Sequence, residues 1–114
     1  MKIQNTFVAF FCLWLLCACG KPIPSEKLQY VGEWRGKNMY LHIEKGGSVE
    51  YWRRKDNVTT SVNAPLQGFT GDDFDVGIGI GSLQTRFVVS KPPYQDGGKW
   101  KMIVDGVELT KSTP

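Results

Sequence analysis

From Val31 onward the chain alternates apolar and polar residues in short runs, broken by Gly, Asp-Asn or Pro at intervals of about ten residues, and this rhythm confines it to β-structure. A period of two puts alternate side chains on opposite faces of a strand, and the spacing of the breaks suits strands and turns rather than long helices. Strands are predicted over residues 32–35, 39–44, 48–55, 58–63, 74–80, 84–90, 99–105 and 107–110. Residues 25–29 have room for one helical turn, with Ser25 as its cap. Pairing neighbours in order predicts an all-β fold, a single small antiparallel meander of about seven to eight strands. A flat sheet of that width would leave edges and an apolar face in water, so the meander is expected to close into a barrel or a sandwich.

The first hairpin allows a test of register. If Gly46 and Gly47 alone formed the turn, Ile43 would oppose Glu50 and Leu41 would oppose Trp52, mixing polar and apolar residues on one face. A three-residue loop, Lys45-Gly46-Gly47, instead sets Ile43 against Val49 and Leu41 against Tyr51. The second register is expected. Its inward face joins Met39, Leu41, Ile43, Val49 and Tyr51 to Phe74, Val76, Ile78, Phe87, Val89, Trp100, Met102 and Val104 as the core. Its outward face sets Tyr40 against Trp52 and His42 against Glu50, with Arg54 next on the same side. Two aromatic rings beside an arginine have the composition of an interface hot spot, so Tyr40, Trp52 and Arg54 are the candidate interaction face. A cross-strand pair that only stiffens the hairpin would look the same in the sequence. A second tight hairpin is expected across Asp105-Gly106, a dipeptide that tolerates positive φ.

Met1 and Lys2 followed by the apolar run from Phe7 to Leu16 have the form of a signal sequence, well short of the ~20 residues of a spanning helix. The run ends at Leu16-Cys17-Ala18-Cys19, which resembles a bacterial lipobox. The resemblance implies cleavage before Cys19 and lipid attached to its sulfur. Gly20 follows, where an aspartate retains enteric lipoproteins in the inner membrane, so the implied address is the outer membrane with the body facing the periplasm. The chain then divides into residues 1–18, a signal peptide; 19–29, a lipidated N-terminus and linker; and 30–114, one β-domain. Residues 21–27, with Pro22 and Pro24, are expected to be a short stiff spacer.

Such processing leaves 96 residues, enough for one modest core, and 13 basic against 11 acidic side chains, a formal charge of +2. That balance argues against a nucleic-acid partner. With Cys12 and Cys17 removed and Cys19 acylated, no disulfide is available, and the fold must rest on its core.

Gly32-Glu33-Trp34-Arg35-Gly36 resembles the Gly-x-Trp that opens the first strand of lipocalins, whose tryptophan closes one end of a ligand-binding barrel. Gly-Asp-Asp-Phe-x-Val-Gly from Gly71 to Gly77 and Trp-Lys-Met-x-Val-Asp-Gly-Val-Glu-Leu-Thr from Trp100 to Thr110 extend the likeness, over the whole domain, to a set of small bacterial lipoproteins with no assigned activity.

Catalytic chemistry has little to work with. His42 is the only histidine, and no serine lies in a Gly-x-Ser-x-Gly context, so no Ser-His or Cys-His pair, multi-histidine metal site or cofactor is expected. Asp72, Asp73 and Asp75 form the one acidic cluster, without the spacing of a calcium loop. Gly77-Ile78-Gly79-Ile80-Gly81 alternates as a strand does rather than leading into a phosphate-binding helix. Arg53-Arg54-Lys55 is expected to be a solvated strand end that discourages edge pairing, and Lys91-Pro92-Pro93-Tyr94 a rigid connection. The expected function is therefore non-catalytic: a membrane-anchored envelope protein that binds another protein as an accessory, inhibitor or immunity factor. The alternative is a small lipocalin-like binder of an apolar or amphipathic molecule, with a cavity lined by Leu41, Phe74, Phe87 and Trp100.

Overall fold

The computed structural model describes residues 21–77 and 84–112. The lipobox-like Leu16 to Cys19, on which the expected lipid attachment rests, and the Ile78 to Gly81 segment lie outside them. A 3₁₀ turn, Ser25–Tyr30, leads into nine strands: β1 Gly32–Gly36, β2 Met39–Ile43, β3 Ser48–Lys55, β4 Val58–Thr70, β5 Asp73–Gly77, β6 Gln84–Phe87, β7 Val89–Asp96, β8 Lys99–Val104 and β9 Val107–Lys111. All pair antiparallel, in the order β6-β5-β4-β3-β2-β1-β9-β8-β7, and the sheet curls into a half-barrel.

The first hairpin has the expected register, with Ile43 opposite Val49, Leu41 opposite Tyr51 and Tyr40 opposite Trp52. The Glu44 amide donates to the Ser48 carbonyl at 2.9 Å, leaving Lys45-Gly46-Gly47 as the loop. At the second hairpin, Val104 pairs with Val107 and the turn residues Asp105 and Gly106 have φ of 49° and 80°.

Four expectations change. Strand β4 does not end at Asn63 but runs on to Thr70, because it switches partner: Ser48 to Lys55 pair with its first half as far as Pro65, and β5 pairs with its second half from Leu66. Proline donates no hydrogen bond, and Pro65 stands where the first ladder ends. The predicted strand over 84–90 breaks at Val88, for a similar reason. Strand β6 pairs with β5, and β7 pairs with β8. Lys91-Pro92-Pro93-Tyr94, expected as a connection, lies in β7 at the sheet edge, where a register shift between Lys91 and Tyr94 absorbs the prolines. Residues 21–27 are not a free spacer. The Lys21 amide donates to the Leu66 carbonyl at 3.3 Å, the Ile23 amide donates to the Lys45 carbonyl at 3.0 Å, and Ile23 is buried.

The two edge strands are separated only by Val88, and two aspartates secure the chain there. The Val89 amide donates to Asp73 Oδ1 at 2.7 Å, and the Val88 amide donates to Asp105 Oδ1 at 2.9 Å. The Asp105 amide returns a bond to the Val88 carbonyl at 2.8 Å. Asp73→Ala would leave the partly buried Val89 amide without an acceptor, at an expected cost of about 1–3 kcal/mol in urea denaturation. Asp73→Asn, which keeps an acceptor oxygen, should recover most of that. Equal stability of wild type and Asp73→Ala would show that the bond does not hold the corner.

Every described residue of the expected core is buried except Trp100, which packs half-buried against it. Trp34, Tyr30, Leu66, Leu109 and Ile23 join them. Trp34 is fully buried. Its Nε1–H donates to the Tyr30 carbonyl at 2.9 Å. Lys111, its cross-strand partner on β9, lays Nζ 4.9 Å from the ring centroid and donates to the Gln29 carbonyl at 2.8 Å. Burial lowers the Lys111 pKa, yet the cation is held by the ring face and the carbonyl. Aromatic contacts continue through the interior. Tyr30 meets Phe69 edge-on at 5.0 Å, Phe74 stacks on Phe87 at 5.0 Å, and Phe87 meets Tyr51 at 4.8 Å. Burial, with the charges of Asp72 and Asp73, pushes the Tyr30 hydroxyl up to about 12, and it donates to the Asp72 carbonyl at 2.9 Å.

Candidate interaction face

Strands β1 to β3 turn their polar residues outward, and the register lines these up in rows. Arg35, Tyr40 and Trp52 form one row, and Glu33, His42 and Glu50 the next. Arg54 lies two residues beyond Trp52 on the same face, and its backbone amide is held by the Asn38 carbonyl at 2.9 Å. The structure thus brings all three candidates, Tyr40, Trp52 and Arg54, to one surface of an internal hairpin.

They are not equally available. Tyr40 is half-buried: the Arg35 guanidinium carbon lies 4.6 Å from its ring centroid, and its hydroxyl donates to Glu33 Oε1 at 3.3 Å. Arg35 Nη2 reaches the same carboxylate oxygen at 3.4 Å. Partial desolvation and then the neighbouring carboxylates, Glu33 first, raise the Tyr40 pKa. Trp52 is the exposed ring, with 38% of its surface in water. Arg35 and Glu33 thus belong to the face, beyond the three residues expected from the sequence. Their signal was present, because a two-residue turn at Lys37-Asn38 sets Arg35 directly opposite Tyr40.

Two depressions border this face. A shallow polar one of about 110 Å³ lies among His42, Glu44, Ser48, Glu50 and Asn63, with His42 Nδ1 3.9 Å from Glu50 Oε1. A larger one of about 560 Å³ is lined by Lys37, Asn38, Arg53, Arg54, Gly106, Val107 and Glu108. Arg54 belongs both to this depression and to the aromatic face.

No protein-family model, curated protein or solved structure matches the chain.

The acidic cluster separates into three structural roles. Asp72 lies in the turn, 3.7 Å from Lys27 Nζ, and Asp73 holds the Val89 amide. Asp75 forms a two-pronged bond with Arg86 across β5 and β6, at 2.8 and 3.0 Å. The Arg86 hydrogen bond holds the Asp75 carboxyl below its usual range. Among the described residues, no three His, Cys, Asp or Glu side chains gather where a metal ion could sit.

Proposed function

We propose that this protein is a non-catalytic, lipid-anchored protein of the bacterial outer membrane, whose β-domain faces the periplasm and binds another envelope protein through Trp52, Tyr40 and Arg54. The observation that carries the reading is the exposed Trp52 ring on an internal strand, beside a tyrosine already fixed by Arg35 and Glu33. A face held in place before binding loses little conformational entropy on association, and Trp, Tyr and Arg are the residues that anchor interfaces.

Attachment at Cys19 suits this use. Lys21 and Ile23 are bonded to the domain, so Gly20 alone would separate an acylated Cys19 from docked backbone. Consecutive Cα atoms are 3.8 Å apart, which keeps the anchor within about 8 Å of Lys21. Strand β3 runs from the neighbourhood of this docked segment toward Arg54, about 20 Å away at ~3.4 Å per residue. Trp52 and Arg54 thus lie toward the end remote from the anchor, where a partner can approach.

Binding of an apolar ligand is the second reading, favoured by the curled sheet around an apolar interior. It needs space among Leu41, Phe74, Phe87 and Trp100, whereas the first three are fully buried and Phe74 stacks on Phe87. That packing favours the protein-binding reading.

Cross-linking in intact cells, affinity purification and mass spectrometry would compare the native chain with Tyr40→Ala/Trp52→Ala. A specific partner captured by the native chain should fall at least tenfold in the variant, while anchoring and thermal unfolding stay intact. Equal capture by both would overturn the assignment of this face.

A further inference from the structure

The larger depression differs in chemistry from the aromatic face. Lys37 comes from the β1–β2 turn, Arg53 and Arg54 from the end of β3, and Glu108 from the start of β9. Among the described residues, no carboxylate lies within ion-pair distance of Lys37, Arg53 or Arg54. The one carboxylate of the lining, Glu108, is instead 3.8 Å from Lys101. Three basic residues thus line one hollow, and among the described residues none of them is in an ion pair.

The expected explanation for Arg53-Arg54-Lys55, protection of a strand edge, does not apply. Strand β3 is internal, paired with β2 along one side and β4 along the other. The walls are also well defined. Arg53 is registered against Met39, the Arg54 amide is bonded to the Asn38 carbonyl, and the two bordering turns are tight, with φ of 57° at Asn38 and 80° at Gly106. Arg53 further lies beside the Tyr51 hydroxyl, whose pKa burial raises and Arg53 opposes. Unpaired cations around a fixed concavity focus positive potential into it. Guanidinium forks match phosphate oxygens in pairs, and a lysine adds a point charge.

From this arrangement we propose that the hollow between the β1–β2 turn, the end of β3 and the β8–β9 turn binds a phosphate or diphosphate group. The excess charge suits a dianion, and a hollow of about 560 Å³ accommodates it together with part of the molecule that carries it. The group can belong to a phospholipid or to a soluble phosphorylated compound, and the two are separable by experiment.

Calorimetric titration of the full chain in a non-ionic detergent with inorganic pyrophosphate should show saturable binding, weakened at least tenfold by Lys37→Gln/Arg53→Gln. Lys37→Gln alone, at an exposed turn position where folding is not at stake, should weaken it about threefold, the loss of one screened charge contact. No saturable binding, or equal affinity in wild type and both variants, would overturn the proposal. Soluble dihexanoyl phosphatidic acid that displaces pyrophosphate, when dihexanoyl phosphatidylcholine does not, would support the site and point to a lipid phosphate. Pyrophosphate binding that neither lipid displaces would support the site and point to a soluble phosphorylated compound. Tyr40→Ala/Trp52→Ala should bind pyrophosphate with native affinity, so the failure of either proposed site leaves the other standing.

Discussion

Replacing Trp34 with alanine is expected to lower the unfolding free energy by about 3–5 kcal/mol, a large part of the 5–15 kcal/mol typical of a whole domain. Several losses coincide at this residue. The side chain is fully buried, so its removal leaves a cavity that the surrounding strands can only partly fill. The Tyr30 carbonyl loses the Nε1–H donor, and Lys111 loses the ring face against which its partly buried ammonium rests. The 3₁₀ turn is fastened through these same contacts, so its packing through Tyr30 onto Phe69 and Phe74 should loosen as well. Urea denaturation followed by circular dichroism reads the effect. Trp34→Phe, which keeps a ring but not the hydrogen bond, should fall between wild type and Trp34→Ala. A loss below about 1 kcal/mol for Trp34→Ala, the range of surface substitutions, would mean that the tryptophan does not close the core.

The second large effect is expected at Gly36, where alanine should cost about 1–3 kcal/mol through overpacking. A Cβ there would lie 2.5 Å from the Glu108 carbonyl oxygen and 2.8 Å from Leu109 Cδ2. The oxygen belongs to backbone and can retreat only by moving β9 away from β1. Those strands share two registered pairs, Trp34 with Lys111 and Arg35 with Thr110. They are the seam joining the meander of β1 to β6 to the β7–β9 part of the sheet, so the strain falls on the narrowest ladder. Hydrogen exchange should quicken at the Ser112 amide, which bonds to the Glu33 carbonyl beside the seam. Gly46→Ala is the control: a Cβ there meets nothing within 4 Å, and stability should change by less than about 0.5 kcal/mol. Equal stability of the two variants would show that the β1–β9 approach is not tight.

Gly47 presents the same physics at the docked N-terminal segment. A Cβ there would overlap the Lys21 carbonyl, and φ is 102°, so the segment can lie across the loop only because the residue is glycine. In the sequence, turn geometry alone accounts for a glycine at position 47. Nothing local in residues 21–27 signals that Ile23 will be buried, because the segment's bonding partners, Lys45 and Leu66, are distant in the chain.

The candidate face shows the same division. Tyr40, Trp52 and Arg54 could be placed together from the sequence because one hairpin carries them and one turn sets its register. The relief of that face could not. Which aromatic is covered depends on Arg35 from a third strand, and what Arg53 and Lys37 enclose depends on the β8–β9 turn. Similarly, Asp72, Asp73 and Asp75 read as one acidic cluster, yet their roles come from Lys27, Val89 and Arg86, each on a different element.

By itself, then, the sequence determined the all-β class, the Lys45-Gly46-Gly47 and Asp105-Gly106 turns, the register of the first hairpin and most of the inward face. These follow from two-residue alternation and turn chemistry, which act over a few neighbouring residues. Only the tertiary structure decided where β4 changes partner at Pro65 and Leu66, how the chain divides at Val88, and that Lys111 covers Trp34. In those places the choice depends on which backbone groups and apolar surfaces meet after the sheet curls, and the residues that satisfy one another there are far apart in the chain.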